Sequence, residues 1–208
     1  MKILRLTFIA LGILAMVSCS KYPTSSSRLL EDLAVLTQYD VNTNFGLYKK
    51  YSIVDTVYYI TDKGTQKVIS ANSQILINQI IGNMNARGYQ KVAKSANPDL
   101  GINVSVLKTT TTTVYYPGWY WGYPGYYPSD WWGYGGYYYP YYPTYYSSYS
   151  AGTMIIEMVN FKKLVDNKVP VVWNAYIRGL ITDTHTTSDI TGAIDQAFTQ
   201  TPSIKTSL

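Results

Sequence analysis

Apolar residues recur along the chain in two rhythms, and the change from one to the other marks its elements. Residues 33–41 (LAVLTQYDV) alternate loosely and end at the turn-prone Asn42, Thr43 and Asn44, which predicts a first strand. Residues 48–60 (YKKYSIVDTVYYI) are rich in β-branched and aromatic side chains and stop at Asp62, Lys63 and Gly64, a second strand, with a short β return over 65–69. Alternation sends Tyr58 and Tyr59 to opposite faces. The rhythm then changes. Over 70–87 the apolar residues Ile77, Ile80, Ile81 and Met84 fall on one face at helical spacing, while Asn78, Gln79, Asn83 and Asn85 turn away. Ser70 or Asn72 can cap this helix, and Gly88 sits where a left-handed C-terminal residue belongs.

Strand rhythm returns at residue 100. Leu100, Ile102, Val104 and Val106 alternate with Gly101, Asn103 and Ser105, and the segment continues into the threonines 109–113. Residues 153–161 and 169–182 predict two more strands, joined through Asp166-Asn167, with Pro170 delaying the start of the second. Trp173 falls in the last of these and reads as core, its indole N–H needing one partner. A final helix follows, capped by Ser188 with Asp189 in its first turn; Ile190, Ala193, Ile194, Ala197 and Phe198 form its buried stripe, and Pro202 lies past its end. The order strand, strand, helix, strand, strand, strand, helix predicts an α+β two-layer sandwich: a mostly antiparallel sheet with two helices on one face. The polar tail 203–208 is expected to fray.

One stretch obeys neither rhythm. Residues 115–149 hold 15 of the 23 tyrosines and four of the 5 tryptophans, are broken every few positions by Gly or Pro, and carry Asp130 as their only charge. They predict a long aromatic low-complexity loop inserted between strands. Tyr and Trp pair a flat apolar ring with a polar tip, which suits stacking on sugar rings or peptide chains, or seating at a lipid headgroup boundary. The candidate binding residues are Trp119, Trp121, Tyr123, Tyr126, Tyr127, Trp131, Trp132, Tyr134, Tyr137 and Tyr138. Three readings stay open: a contact for an envelope protein or glycan, an interfacial attachment to the membrane, or a tolerated insertion without a partner.

The first residues supply an address. Lys2 and Arg5 precede an apolar run over 6–17 that is too short to span a bilayer as a helix of about 20 residues, and residues 1–18 read as a signal peptide. Met16-Val17-Ser18-Cys19 resembles the lipobox of bacterial lipoproteins, with Met16 where leucine is commoner. That resemblance implies acylation of Cys19 and a membrane partner, with 19–32 as anchor and tether. Acyl chains contribute about 0.8 kcal/mol per buried methylene, enough for permanent attachment when several are present. No acidic run follows Cys19, so the expected position is the outer membrane, facing the periplasm. Cys19 is the single cysteine, which excludes an internal disulfide. Loss of Lys2 and Arg5 takes the formal charge from +5 to +3. Scattered rather than clustered lysines give no nucleic-acid footprint.

A family resemblance rests on Tyr39-Asp40 before Phe45, on Tyr48 and Tyr51, on Gly88-Tyr89, on Pro98-Asp99-Leu100, on Val172-Trp173, and on Ile190, Ala193, Ile194, Phe198 and Pro202. In this order, over 33–202, the sequence resembles the DUF4136 family of bacterial lipoproteins. The resemblance implies a fold and an envelope location, and it supplies no reaction.

Candidate chemistry is sparse. His185 is the single histidine, with Asp183 two residues away, but no nucleophile elbow exists and no thiol remains once Cys19 is acylated. A zinc site lacks ligands, and no calcium-loop pattern occurs. Asp40, Asp55, Asp62, Asp99, Asp166 and Asp183 stand singly at turns and strand ends, where a glycosidase pair could form only through folding. No cofactor, metal or catalytic residue is expected. The sequence therefore points to a non-enzymatic envelope binding module of unknown physiological role, with an envelope hydrolase acting on glycan or peptide as the alternative.

Overall fold

In the computed structural model the described residues are 33–61, 64–68, 70–108, 152–164, 169–179 and 185–207. They form a mixed eight-stranded sheet carrying two helices. The strands are β1 (Ala34–Tyr39), β2 (Lys50–Ile53), β3 (Val57–Thr61), β4 (Gly64–Val68), β5 (Gln90–Lys91), β6 (Leu100–Lys108), β7 (Thr153–Asn160) and β8 (Val171–Arg178). The helices are α1 (Ala71–Ala86) and α2 (Thr187–Thr199).

Laterally the sheet runs β1-β8-β7-β6-β2-β5, with β3 also on β6 and β4 on β3. The pairs β1/β8, β7/β8, β6/β7 and β3/β4 are antiparallel, whereas β2 and β3 run parallel to β6, and β2 parallel to β5. The predicted single strand over 48–60 is two collinear strands. Tyr51, Ser52 and Ile53 pair with Leu100, Gly101 and Ile102, and then Tyr58 and Tyr59 pair with Ser105 and Val106. The chain leaves the ladder between them, and Val54 N–H still donates to Ile102 O at 3.1 Å. Parallel pairing requires a crossover, and α1 provides it between β2 and β6.

Ser70 caps α1: its hydroxyl accepts from Ser73 N–H at 3.1 Å, and the Ser73 hydroxyl accepts from Ser70 N–H at 2.8 Å. Gly88 ends it with φ of +87°, a backbone that β-carbon-bearing residues resist. The cap of α2 is Thr186, two residues before the predicted Ser188. Its hydroxyl accepts from Asp189 N–H and its own N–H is held by the Asp189 carboxylate at 2.8 Å, which completes a capping box that Ser188 cannot form at that spacing.

The core lies between the sheet and the helices. Leu100, Ile102, Val104 and Val106 of β6, Met154, Ile156 and Met158 of β7, and Trp173, Ala175 and Ile177 of β8 meet Ile77, Ile80 and Met84 of α1 and Ala193, Ile194, Ala197 and Phe198 of α2. Both helices thus cover one face, as the two stripes require. Trp173 and Phe198 rings lie 5.0 Å apart, and the indole N–H donates to Thr201 Oγ1 at 3.0 Å. Tyr58 and Tyr59 do take opposite faces, Tyr59 packing against the core and Tyr58 against Val54.

The tail departs from expectation. Ile204 is fully buried in the core, Thr206 N–H donates to Arg87 O at 3.1 Å, and Ser207 donates through both its N–H and its hydroxyl to Gly46 O. One isoleucine in a polar hexapeptide is enough to dock it, because burying such a side chain is worth about 1.5–3 kcal/mol.

Candidate functional site

The residues carrying the family resemblance turn out to build the frame. Asp99, just after the left-handed Asn97, accepts from Lys49 N–H at 2.8 Å and Lys50 N–H at 2.9 Å, and pairs with Lys162 at 3.1 Å. Burial alone would raise its pKa, but these backbone donors and the Lys162 ammonium together hold it below the usual carboxylate range. Asp40 accepts from Asn42 N–H and from the Thr43 hydroxyl, which closes the turn after β1. Tyr89 donates to Phe45 O at 3.1 Å, and Tyr51 to Asn85 Oδ1 at 3.1 Å, where burial pushes the Tyr51 hydroxyl up to about 12. Each of these groups is committed to architecture.

His185 immediately precedes the α2 cap, and together with Thr186 it draws the Asp189 carboxylate down, the Thr186 hydrogen bonds being the larger cause. Its suggested partner Asp183, along with Asp62, Asp166, Cys19 and the aromatic candidates Trp119, Trp121, Tyr123, Tyr126, Tyr127, Trp131, Trp132, Tyr134, Tyr137 and Tyr138, lies outside the described residues. Among the described residues no group of three or more His, Cys, Asp or Glu side chains could hold a metal ion.

A polar constellation lies on the sheet face turned away from the helices. The residues alternating with the core positions are Asn103 and Ser105 in β6, Glu157 in β7, and Asn174 and Tyr176 in β8. Register aligns them: Asn103 is opposite Glu157, Glu157 opposite Asn174, and Asn174 opposite Gln38 of β1. One polar row therefore crosses four antiparallel strands. A second row, one step along, runs Tyr58, Ser105, Ile155, Tyr176.

An antiparallel sheet with helices on one side commonly leaves its other side to water. Here Asn103 and Ser105 are wholly buried, and Glu157 and Asn174 nearly so. Asn103 Nδ2 donates to Glu157 Oε2 at 3.4 Å, which fixes its amide and aims Oδ1 elsewhere. Asn103 Oδ1, Ser105 Oγ and Asn174 Oδ1 have no hydrogen-bond partner. A buried polar atom left in that state costs about 1–3 kcal/mol.

The sequence pattern contained Asn103 and Ser105 as the polar side of β6, but their alignment with Glu157 and Asn174 is a property of register. The available signal was one lone polar residue at the middle of an apolar run: Glu157 in TMIIEMVN and Asn174 in VVWNAYIR.

Comparison with known proteins agrees with the frame. No functionally curated protein matches the chain. A crystal structure of a DUF4136 family protein from Bacteroides thetaiotaomicron VPI-5482 superposes with a TM-score of 0.71 at 34% identity, covering 83% of this chain and 97% of that one. The family described as a domain of unknown function, DUF4136, matches residues 35–203, and the chain belongs to that family.

Proposed function

We propose that this protein is a lipid-anchored binding module of the bacterial cell envelope, non-enzymatic, held to the outer membrane by acylated Cys19 and facing the periplasm. Its aromatic segment 115–149 is the contact surface for an envelope protein or glycan. One observation carries the reading. The strands on either side of that segment are direct neighbours, with Leu107 opposite Thr153 and Gly152 N–H donating to Leu107 O at 2.8 Å. Gly152, at φ of +84°, turns the chain into β7. The ladder between β6 and β7 thus closes at the base of the segment. A segment this rich in aromatic rings offers apolar surface of the kind that marks interaction sites.

Deletion of residues 117–143 tests this. The shortened protein folds and still takes up acyl label at Cys19, but it no longer recovers envelope material after cross-linking in cells. Recovery equal to that of the full chain sinks the reading. In a Cys19→Ala form, binding to lipid vesicles through the segment would move its contact from an envelope partner to the membrane.

A further inference from the structure

The helix-free face of the sheet is closed to water within a single chain. Leu107, Ile155 and Val159 lie on it, with Asn103, Ser105 and Asn174 between them, and all six are 0–5% exposed. Neighbours in the same sheet stand about 4.8 Å to either side and leave the tips of such side chains in water. Excluding water from a whole face takes a second layer stacked about 10 Å above it. Among the described residues both helices pack on the opposite face. The exposures are those of one copy, so a second copy is not the cover. We infer that the aromatic segment 115–149 is that layer, docked on the helix-free face of the sheet from which it springs.

Attachment, length and charge select this occupant. The segment leaves the sheet after β6 and re-enters at β7, the central strands of the closed face. From β8 across β7 and β6 to β3 that face is about 14 Å wide, and from Gly101 to Leu107 it is about 20 Å long. Two passes along it take about a dozen extended residues, which 109–151 more than supplies. The N-terminal residues join the sheet at β1 instead, where this face opens, Leu36 being 47% exposed. Their nearest stretch, 20–32, carries Lys21, Arg28, Glu31 and Asp32, whereas 115–149 carries Asp130 alone. A buried layer excludes unpaired charge. The remaining connections outside the described residues, 62–63, 69, 165–168 and 180–184, have five residues or fewer.

Chemistry points the same way, because the face is apolar and short of donors at once. Asn103 Oδ1 and Asn174 Oδ1 can only accept, and Ser105 Oγ can accept or donate; none has a partner. Tyrosine and tryptophan bring both things such a surface lacks: a flat ring for Leu107, Ile155 and Val159, and an O–H or N–H for the acceptors. The segment holds 15 tyrosines and four tryptophans. Rings on its outer side are then held by a sheet, which lowers the ordering cost of meeting a partner. The docking itself does not depend on there being one.

The test is methyl NMR on the purified full chain carrying Cys19→Ser, free of envelope material. Trp173 is the one tryptophan beyond the segment, and it faces the core. An Overhauser contact from a Leu107, Ile155 or Val159 methyl to any other indole therefore reports the segment. The expected result is contacts from these methyls to rings of 115–149. Deletion of 117–143 then opens the face, and the Asn103 and Asn174 side-chain NH2 protons exchange with water at least tenfold faster. Should the shortened chain not fold, the contacts in the parent decide alone. Methyls that meet no ring of 115–149 overturn the inference. So do contacts to residues 20–32 in their place, which make the N-terminal stretch the cover. A shortened chain that folds with its NH2 exchange unchanged overturns it as well. Neither measurement involves envelope material, so failure here leaves the envelope reading to its own test.

Discussion

Replacing Thr201 by Val gives a sharp measure of what holds α2 to the sheet. Trp173 and Thr201 are each 1% exposed, and the 3.0 Å bond between them is the polar contact the indole N–H makes. Valine keeps the shape of threonine and removes the acceptor, so the N–H stays buried without a partner. The cost is the desolvation of that group, about 1–3 kcal/mol, rather than the smaller net worth of the bond. For a chain of this size about 2 kcal/mol corresponds to a fall in Tm of about 4–8 °C. Urea unfolding followed by far-ultraviolet circular dichroism should show a lower midpoint at unchanged slope. Trp173→Phe removes the donor but opens space against Phe198, whose ring centroid is 5.0 Å away. Adding Thr201→Val to Trp173→Phe should then cost much less than Thr201→Val alone, giving a coupling of about 1 kcal/mol. A Thr201→Val protein within about 0.5 kcal/mol of the parent, the range of a neutral surface change, would refute this account of the core.

Gly88→Ala forces a β-carbon onto a φ of +87° and within 2.5 Å of Thr206 Cγ2, so it should destabilise by about 1–2 kcal/mol and speed hydrogen exchange at the Thr206 and Ser207 amides. Asp99 is held below its ordinary pKa, so its contribution is present above about pH 4 and is lost as pH falls through the depressed folded value; Asp99→Asn should lower stability at neutral pH and flatten the acid limb of stability against pH. Gln79 and Asn83 of α1 both donate to Asp195 Oδ1 of α2 at 2.6 Å, and Asp195→Ala should cost about 0.5–1 kcal/mol in urea midpoint because that carboxylate is exposed.

Much of the frame was legible because it depends on local rules. Helical spacing of Ile77, Ile80 and Met84 and of Ala193, Ile194 and Phe198 named the buried faces, and Gly88 marked an end that only a left-handed residue could make. The second helix cap was misplaced by two residues because Ser188 and Thr186 are both competent hydroxyls; the reciprocal bond with Asp189, three positions after Thr186, decides between them. Ile204 is not legible in so short a polar tail because six residues are too few to show a period, and its burial is set by the floor that β-strands and helices build beneath it.

The sequence by itself determined which faces of α1, α2 and β6 are apolar, since side-chain direction follows from periods of 3.6 and 2 within each element. It also determined the aromatic character of 115–149 and the family frame, which are matters of residue type and order. Only the tertiary structure decided that one stretch of β-branched residues pairs with β6 as two strands, β2 and β3, broken at 54–56. It alone brought Asn103, Glu157 and Asn174 into a row, because strand register depends on hydrogen bonds between segments distant in the chain, Glu157 lying 54 residues after Asn103 and 17 before Asn174. Alternation could say that each of the three points to one side of its own strand; which residues become neighbours on that side is fixed between strands and not along them.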